Sequence, residues 1–363
     1  MTDMKRHQPP VSRTLHFQPG ERNVFFHLLT ACNLRCRHCY INPAQHGCEA
    51  VSRADLEAWL RLFHRPERPA NLIFLGGEPT LHPDLVHGVR FARQLGYQGV
   101  TIDTNGLLCR DLLEQLRPEE AVLSFSLDGP EPAINDPLRG EGVFAACTAN
   151  LAKAVAKGFD ISLIYTVSRR NIDHLARMPA LLAQLGCRRF FIQVIGLRGK
   201  SAGPAAEKAN RGRISNLSPT SSDADEQLQV TPEEWLAVVP QVAAEAAALG
   251  IRTIYPKVYL EPDEPFECAA QVAENFFIFP NGRVYLCPLC EDYPINALRI
   301  EEGKLIENSG LTERSLFSLT IPEGCVMNKL LQPGNIRYQP DGAPCHRISC
   351  CLLKQELSLR PPF

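Results

Sequence analysis

At 363 residues, 45% of them hydrophobic, the chain is long enough for one large domain with a smaller companion and a substantial buried core. A formal net charge of -2 with dispersed Lys and Arg gives no electrostatic footprint for nucleic acid, and no apolar run is long enough for a membrane span or a secretory signal, so a cytoplasmic protein without nucleic-acid or membrane partners is expected. Fourteen cysteines in a reducing compartment suit metal binding better than a disulfide framework.

Residues 1–20 read as an N-terminal extension. From 21 to 197, short apolar β-prone runs alternate with helical patterns, the signature of βα units around a parallel sheet. Strands are expected at VFFHLLT (24–30), NLIFLGG (71–77), GVTIDT (99–104), AVLSFSLD (121–128), ISLIYTV (161–167) and RFFIQVIG (189–196). Six such units predict an α/β fold, a partial (β/α)6 TIM barrel. Ser52 with Asp55 marks a capped helix start, Pro83 suits the first turn of another helix, and Gly96, Gly158 and Gly186 suit helix C-caps. The stretch 198–230 is rich in Gly, Ser, Pro and charge and reads as a flexible linker or lid. A helix from Thr231 to Leu249 opens a segment, 231–260, that completes the core or bridges onward. Residues 261–363 form a small Cys-rich domain, with a β-hairpin at the PNGR turn.

The stretch TACNLRCRHCYINP (30–43) supplies Cys32, Cys36 and Cys39 at Cys-x3-Cys-x2-Cys spacing. Each iron of an iron-sulfur cube needs one external ligand, so three thiolates leave one iron open to bind a small molecule. The competing reading is a zinc knuckle completed by His38 or His46.

Together with LGGEPTLHP (75–83), DTNGLL (103–108) and SLDGPEPAINDPLRG (126–140), this motif resembles the radical S-adenosylmethionine (SAM) enzymes, over about residues 20 to 200. The resemblance implies a [4Fe-4S] cluster held by Cys32, Cys36 and Cys39, whose open iron chelates the methionine moiety of SAM. It also implies reductive cleavage to a 5'-deoxyadenosyl radical and hydrogen abstraction from a substrate, with electrons from a flavodoxin or ferredoxin-type partner. Gly76 and Gly77 are expected to let backbone approach the methionine, Glu78 to accept from its ammonium, and Pro79 to fix the turn. Arg139 aligns with the family's arginine for the cofactor carboxylate. Thr104, Asn105, Ser126 and Asp128 are expected to shape the pocket or meet the ribose. His38 precedes the last cysteine, where the family's backbone contacts adenine, and its ring is read as packing.

CAAQVAENFFIFPNGRVYLCPLC (268–290) and the later CHRISCC resemble the auxiliary-cluster extensions called SPASM and twitch, without the full SPASM pattern, so one auxiliary cluster is expected. Its expected ligands are Cys268, Cys287, Cys345 and Cys350, with Cys290 or Cys351 as substitutes and Cys325 also available; a structural zinc site is the alternative. Cys48, Cys109, Cys147 and Cys187 read as small buried hydrophobes, and Glu291 and Asp292 as solvated carboxylates. In sulfatase-maturing relatives an Asp follows the second auxiliary cysteine; Pro288 stands here, which argues against that activity. Little chain precedes the first strand, so no leader-peptide-binding domain is expected there. The favoured function is net oxidation or crosslinking of a peptide or small metabolite; the alternative is a non-catalytic iron-sulfur or zinc protein.

Overall fold

The structure, a computed structural model, describes residues 10–202 and 228–359. Most of the expected linker or lid, 203–227, lies outside the described residues, as do the first nine residues of the N-terminal extension. Fifteen strands are described: β1 (Val11–Leu15), β2 (Arg22–His27), β3 (Asn71–Leu75), β4 (Gly99–Thr104), β5 (Val122–Ser126), β6 (Ile161–Val167), β7 (Arg189–Val194), β8 (Arg252–Pro256), β9 (Tyr259–Leu260), β10 (Glu274–Ile278), β11 (Arg283–Tyr285), β12 (Leu298–Glu301), β13 (Lys304–Glu307), β14 (Arg347–Ile348) and β15 (Lys354–Ser358).

All six strands expected in the first two hundred residues form, and they lie side by side in chain order from β2 to β7. The parallel run is longer than six. β8 adds to β7, and β10 adds to β2, both parallel. Antiparallel β15 and β1 continue beyond β8, and β11, β12 and β13 continue beyond β10. The segment after residue 261 thus contributes strands to both flanks of the sheet. Ion pairs fix each junction: buried Arg22 holds Glu274 at 2.6 Å between β2 and β10, while buried Glu356 of β15 meets Arg13 of β1 and Arg252 of β8.

Burial alternates along the barrel strands, as a period of two requires. Phe26, Leu72, Phe74, Ile102, Leu123, Phe125, Leu163 and Phe190 are fully buried beneath the helices. Each such side chain stabilises the fold by about 1.5–3 kcal/mol, and Phe74→Ala is expected to cost about 3–5 kcal/mol. The opposite face, with Asp103, Ile164, Thr166, Phe191 and Gln193, is only half-buried because it lines a hollow.

Local signals mostly hold. Ser52 accepts from Asp55 N at the start of the helix Arg53–Phe63, and Thr231 with Glu234 makes a capping box on the helix Pro232–Ala248. Pro83 instead lies in the turn before Asp84, the N-cap of Leu85–Leu95, because the 3-10 turn Pro79–Leu81 occupies the chain just ahead. The hairpin between β10 and β11 turns through residues 279–282, where Gly282 N donates to Phe279 O at 2.9 Å, with Gly282 in the left-handed region. Among the described residues no helix is long and apolar enough to cross a membrane.

Candidate active site

A cavity of about 320 Å3 opens at the C-terminal ends of β3 to β7. The loop after β2 brings Cys32, Cys36, His38 and Cys39 to it; Gly76 and Gly77 follow β3, Thr104 ends β4 with Asn105 next in the chain, Ser126 ends β5, and Arg139 closes the helix Pro132–Arg139. Ligand chemistry collects at this end of a parallel sheet because the loops there vary while the strands hold position.

Backbone pairing fixes the cysteine loop. Gly77 N donates to Leu29 O and Glu78 N to Ala31 O, while Arg37 N donates to Leu138 O and Lys200 N to Cys39 O. A Cβ on Gly76 would sit 2.5 Å from Leu29 O, and one on Gly77 would sit 2.2 Å from Ala31 O. The cysteine loop passing over the pair therefore requires glycine at both positions, and the same two residues line the cavity. Pro79 starts the 3-10 turn, as expected.

Glu78 departs from expectation. It is fully buried and accepts from Thr80 N, Thr80 Oγ1, Thr104 Oγ1 and Asn105 N at 2.7–3.1 Å. Burial raises its pKa and these donors oppose the rise. With both oxygens engaged, Glu78 clamps the turn after β3 to the end of β4 instead of facing an ammonium. Asn105, held by the clamp, donates to Asn33 Oδ1 at 2.7 Å and approaches Cys32 Sγ at 3.6 Å.

Asp128, expected near a ribose, is instead completely buried. Its Oδ1 accepts from Thr166 N, and its Oδ2 lies 2.5 Å from Arg139 Nε and 3.1 Å from His38 Nε2. Burial alone would raise its pKa, but Arg139 and His38 outweigh that and hold the carboxyl well below its usual range. Asp128 thereby orients both groups, and the His38 ring joins this ionic cluster, where simple packing was expected. Arg139 keeps its place on the cavity wall.

The donor chemistry of the cavity suits an iron-sulfur cluster: three sulfur ligands from one short loop, beside a guanidinium. Burial raises the Cys32 thiol and pushes Cys36 up to about 11, with Arg139 opposing the latter. Among the described residues no three Cys, His, Asp or Glu side chains close around a single-ion position, so it is the shared cavity that unites these thiols.

Several residues here escaped sequence reasoning. Asp103 lines the cavity, with its pKa raised to about 7 by burial. Tyr40 OH donates to His27 Nε2 at 2.8 Å, since His27 Nδ1 is committed to Ile278 O. The rings of His27 and His46 sandwich Phe279 at 4.1 and 3.9 Å, and burial lowers both histidines to about 3. His46 Nε2 donates to Glu291 O, so His46 serves the domain contact and is no metal ligand here. Arg198 lies 5.0 Å over the Tyr40 ring and pairs with Glu291 at 2.5 Å. Glu291 and Asp292 are consequently buried, contrary to expectation; Asp292 accepts from Gly199 N and Asn42 Nδ2. The only local signal was their adjacency to Cys290.

In the C-terminal region, Cys268, Cys287, Cys325 and Cys350 lie within electrostatic reach of one another, and Cys351 lies within reach of Cys287, Cys325 and Cys350. Burial, followed by the Cys350 charge, pushes Cys268 and Cys325 up to about 12. Cys350 is lowered because Cys351 donates to it, and Cys351 is raised in turn. Buried Cys290 shares a hydrogen bond with Cys287, whose backbone N donates to the buried carboxylate of Glu313. Cys345, expected among these ligands, is exposed on its loop, where its N donates to Arg337 O. Cys147 and Cys187 are buried as expected, whereas Cys48 is exposed and Cys109 is half-buried, with Asn33 Nδ2 at 3.7 Å.

A second cavity, of about 390 Å3, lies between the barrel and the C-terminal segment and shares the wall 193–196 and Arg198 with the first.

Residues 27–182 match the family model described as the Radical SAM superfamily. The PqqA peptide cyclase of Ruegeria pomeroyi is 29% identical over 283 residues, 76% of this chain and 70% of that protein. The Fe-coproporphyrin III synthase of Methanosarcina barkeri is 31% identical over 180 residues, 48% of this chain and 44% of that protein, so the match spans less than half of the synthase. The crystal structure of Streptococcus suis SuiB bound to S-adenosylmethionine superposes with a TM-score of 0.57 at 13% identity, over 78% of this chain and 63% of SuiB, a likeness of fold.

Proposed function

This chain belongs to the radical SAM superfamily, and from that membership we propose that it is an enzyme that cleaves S-adenosylmethionine and oxidises or crosslinks a peptide. The observation that carries the reading is the convergence of Cys32, Cys36 and Cys39 with the glycine turn and Arg139 on one cavity at the C-terminal ends of the parallel strands. A four-iron cluster with S-adenosylmethionine supplies, when bound, a 5'-deoxyadenosyl radical able to abstract hydrogen from a neighbouring substrate. Cys32, Cys36 and Cys39 hold the cluster. Arg139, oriented by Asp128, offers its remaining donors to the cofactor carboxylate. Thr104, Asn105 and Ser126 border the cavity where a ribose would lie, and the shared wall at 193–196 separates that position from the second cavity, which takes the substrate.

Cys268, Cys287, Cys325 and Cys350, with Cys290 and Cys351 adjacent, are proposed to hold an auxiliary iron-sulfur cluster that accepts one electron as the substrate is oxidised. A reducing, cytoplasmic setting accords with this many thiols, and the proposed electron donor is a flavodoxin or ferredoxin-type protein. The peptide class rests on the likeness to the PqqA peptide cyclase. Anaerobic reconstitution, reduction with dithionite and assay for 5'-deoxyadenosine test the reading. Product is expected from the wild type, and its absence at full iron loading refutes the proposal.

A further inference from the structure

The second cavity has apolar aromatic walls, with Phe25, Phe191, Trp235 and Phe277 among its lining residues. Phe25 and Phe277 stack at 4.4 Å with their planes 5° apart, so that part of the wall is rigid. Two cations reach this space. Arg198 has its charge matched by Glu291 at 2.5 Å. Lys354 has no carboxylate at ion-pair distance among the described residues; its ammonium donates to Cys351 O at 3.2 Å, and an ammonium carries three donors. Burial disfavours the Lys354 charge while the neighbouring Cys351 and Cys350 favour it, and an anionic ligand group in the cavity adds to that favourable side and takes up the ammonium's remaining donors.

We infer that this cavity binds a substrate unit made of a ring-sized apolar body and a carboxylate, the body against the aromatic walls and the carboxylate on Lys354. The inference rests on the proposed function, because it places this unit across the shared wall from the cofactor cavity. A volume of about 390 Å3 admits one such unit, whether the last residue of a peptide or a free aromatic acid.

The probes are N-acetyl-L-phenylalanine and its amide, titrated calorimetrically into reconstituted, unreduced protein under anaerobic conditions. Of the two tryptophans, Trp235 lines the cavity and Trp59 packs in the core, so a change in emission on binding locates the probe. A desolvated charge-assisted contact predicts that the carboxylate binds about tenfold or more tighter than the amide, and that Lys354→Met reduces the ratio to about twofold or less. Iron content and the cluster absorption spectrum are expected to be unchanged in that variant. The wild-type contrast alone overturns the inference if acid and amide bind equally, even should the variant fail to fold. A variant that alters the cluster spectrum but keeps the preference for the acid also overturns it, assigning Lys354 to the thiol cluster. Tighter binding of N-acetyl-Ala-Ala-Phe than of 3-phenylpropionate identifies the peptide source, and the reverse order the free acid; either supports the carboxylate anchor. No reductant is present, so failure here leaves the cofactor-cleavage reading standing, and loss of 5'-deoxyadenosine formation leaves this one standing.

Discussion

Glu78→Gln separates two roles for the motif glutamate. In the structure Oε1 accepts from Thr80 N, Thr80 Oγ1 and Thr104 Oγ1, and Oε2 accepts from Asn105 N. A glutamine has one acceptor oxygen. Whichever way its amide is turned, an NH2 group faces a backbone N–H, either of Asn105 or of Thr80. The variant thus loses a charge-assisted bond and leaves a buried donor unsatisfied, together about 3–5 kcal/mol. Asn105 would shift with its backbone, and Asn105 Nδ2 approaches Cys32 Sγ at 3.6 Å, so cluster loading suffers second. The assay is urea denaturation of the metal-free protein under anaerobic conditions, beside titration of S-adenosylmethionine into the loaded protein. A clamp lowers the stability of the metal-free protein. A direct ammonium ligand would leave that stability alone and weaken only cofactor binding. A variant within about 0.5 kcal/mol of wild type refutes the clamp.

Cys36→Ala is expected to abolish 5'-deoxyadenosine formation while leaving about half the iron bound, measured by iron analysis; unchanged cleavage would remove Cys36 from the ligand set. Cys325→Ser should lose the C-terminal share of iron and Cys345→Ser should not, and the opposite outcome restores Cys345 as a ligand. Asp103 bears on pH. Its pKa is raised by burial to about 7, so the folded state binds a proton more tightly than the unfolded one, and stability falls as pH rises between about 4 and 7. Asp103→Asn is expected to flatten that interval and gain about 1–3 kcal/mol at pH 8, read from urea midpoints across pH; an unchanged slope rejects the assignment.

The barrel strands were legible because each is a contiguous apolar run between turn residues. The outer strands were not: β1 pairs with β15 across nearly the whole chain, and neither run signals its partner. Motif spacing located Cys32, Cys36 and Cys39, and the structure brings them to one cavity. It did not reveal that Glu78 is consumed by Thr104 and Asn105, or that Asp128 is consumed by Arg139 and His38, since those partners meet only on folding. Nor does spacing tell which later thiols turn inward: Cys345 and Cys350 are five residues apart, one exposed and one buried. Glu291 and Asp292 read as solvated from their neighbours, and only Arg198 and the segment 198–199 account for their burial.

The stack of His27, Phe279 and His46 bears on how such a chain can be re-engineered. Two of its rings come from the amino-terminal portion and the third from the hairpin, and β10 is hydrogen-bonded to β2 beneath them. Grafting a foreign tail at a junction near residue 260 would strip β2 of its neighbour and leave a raw edge open to aggregation. A chimera meant to acquire a new substrate must therefore retain the resident hairpin, and β15 with it, because β8 and β1 both pair with that strand.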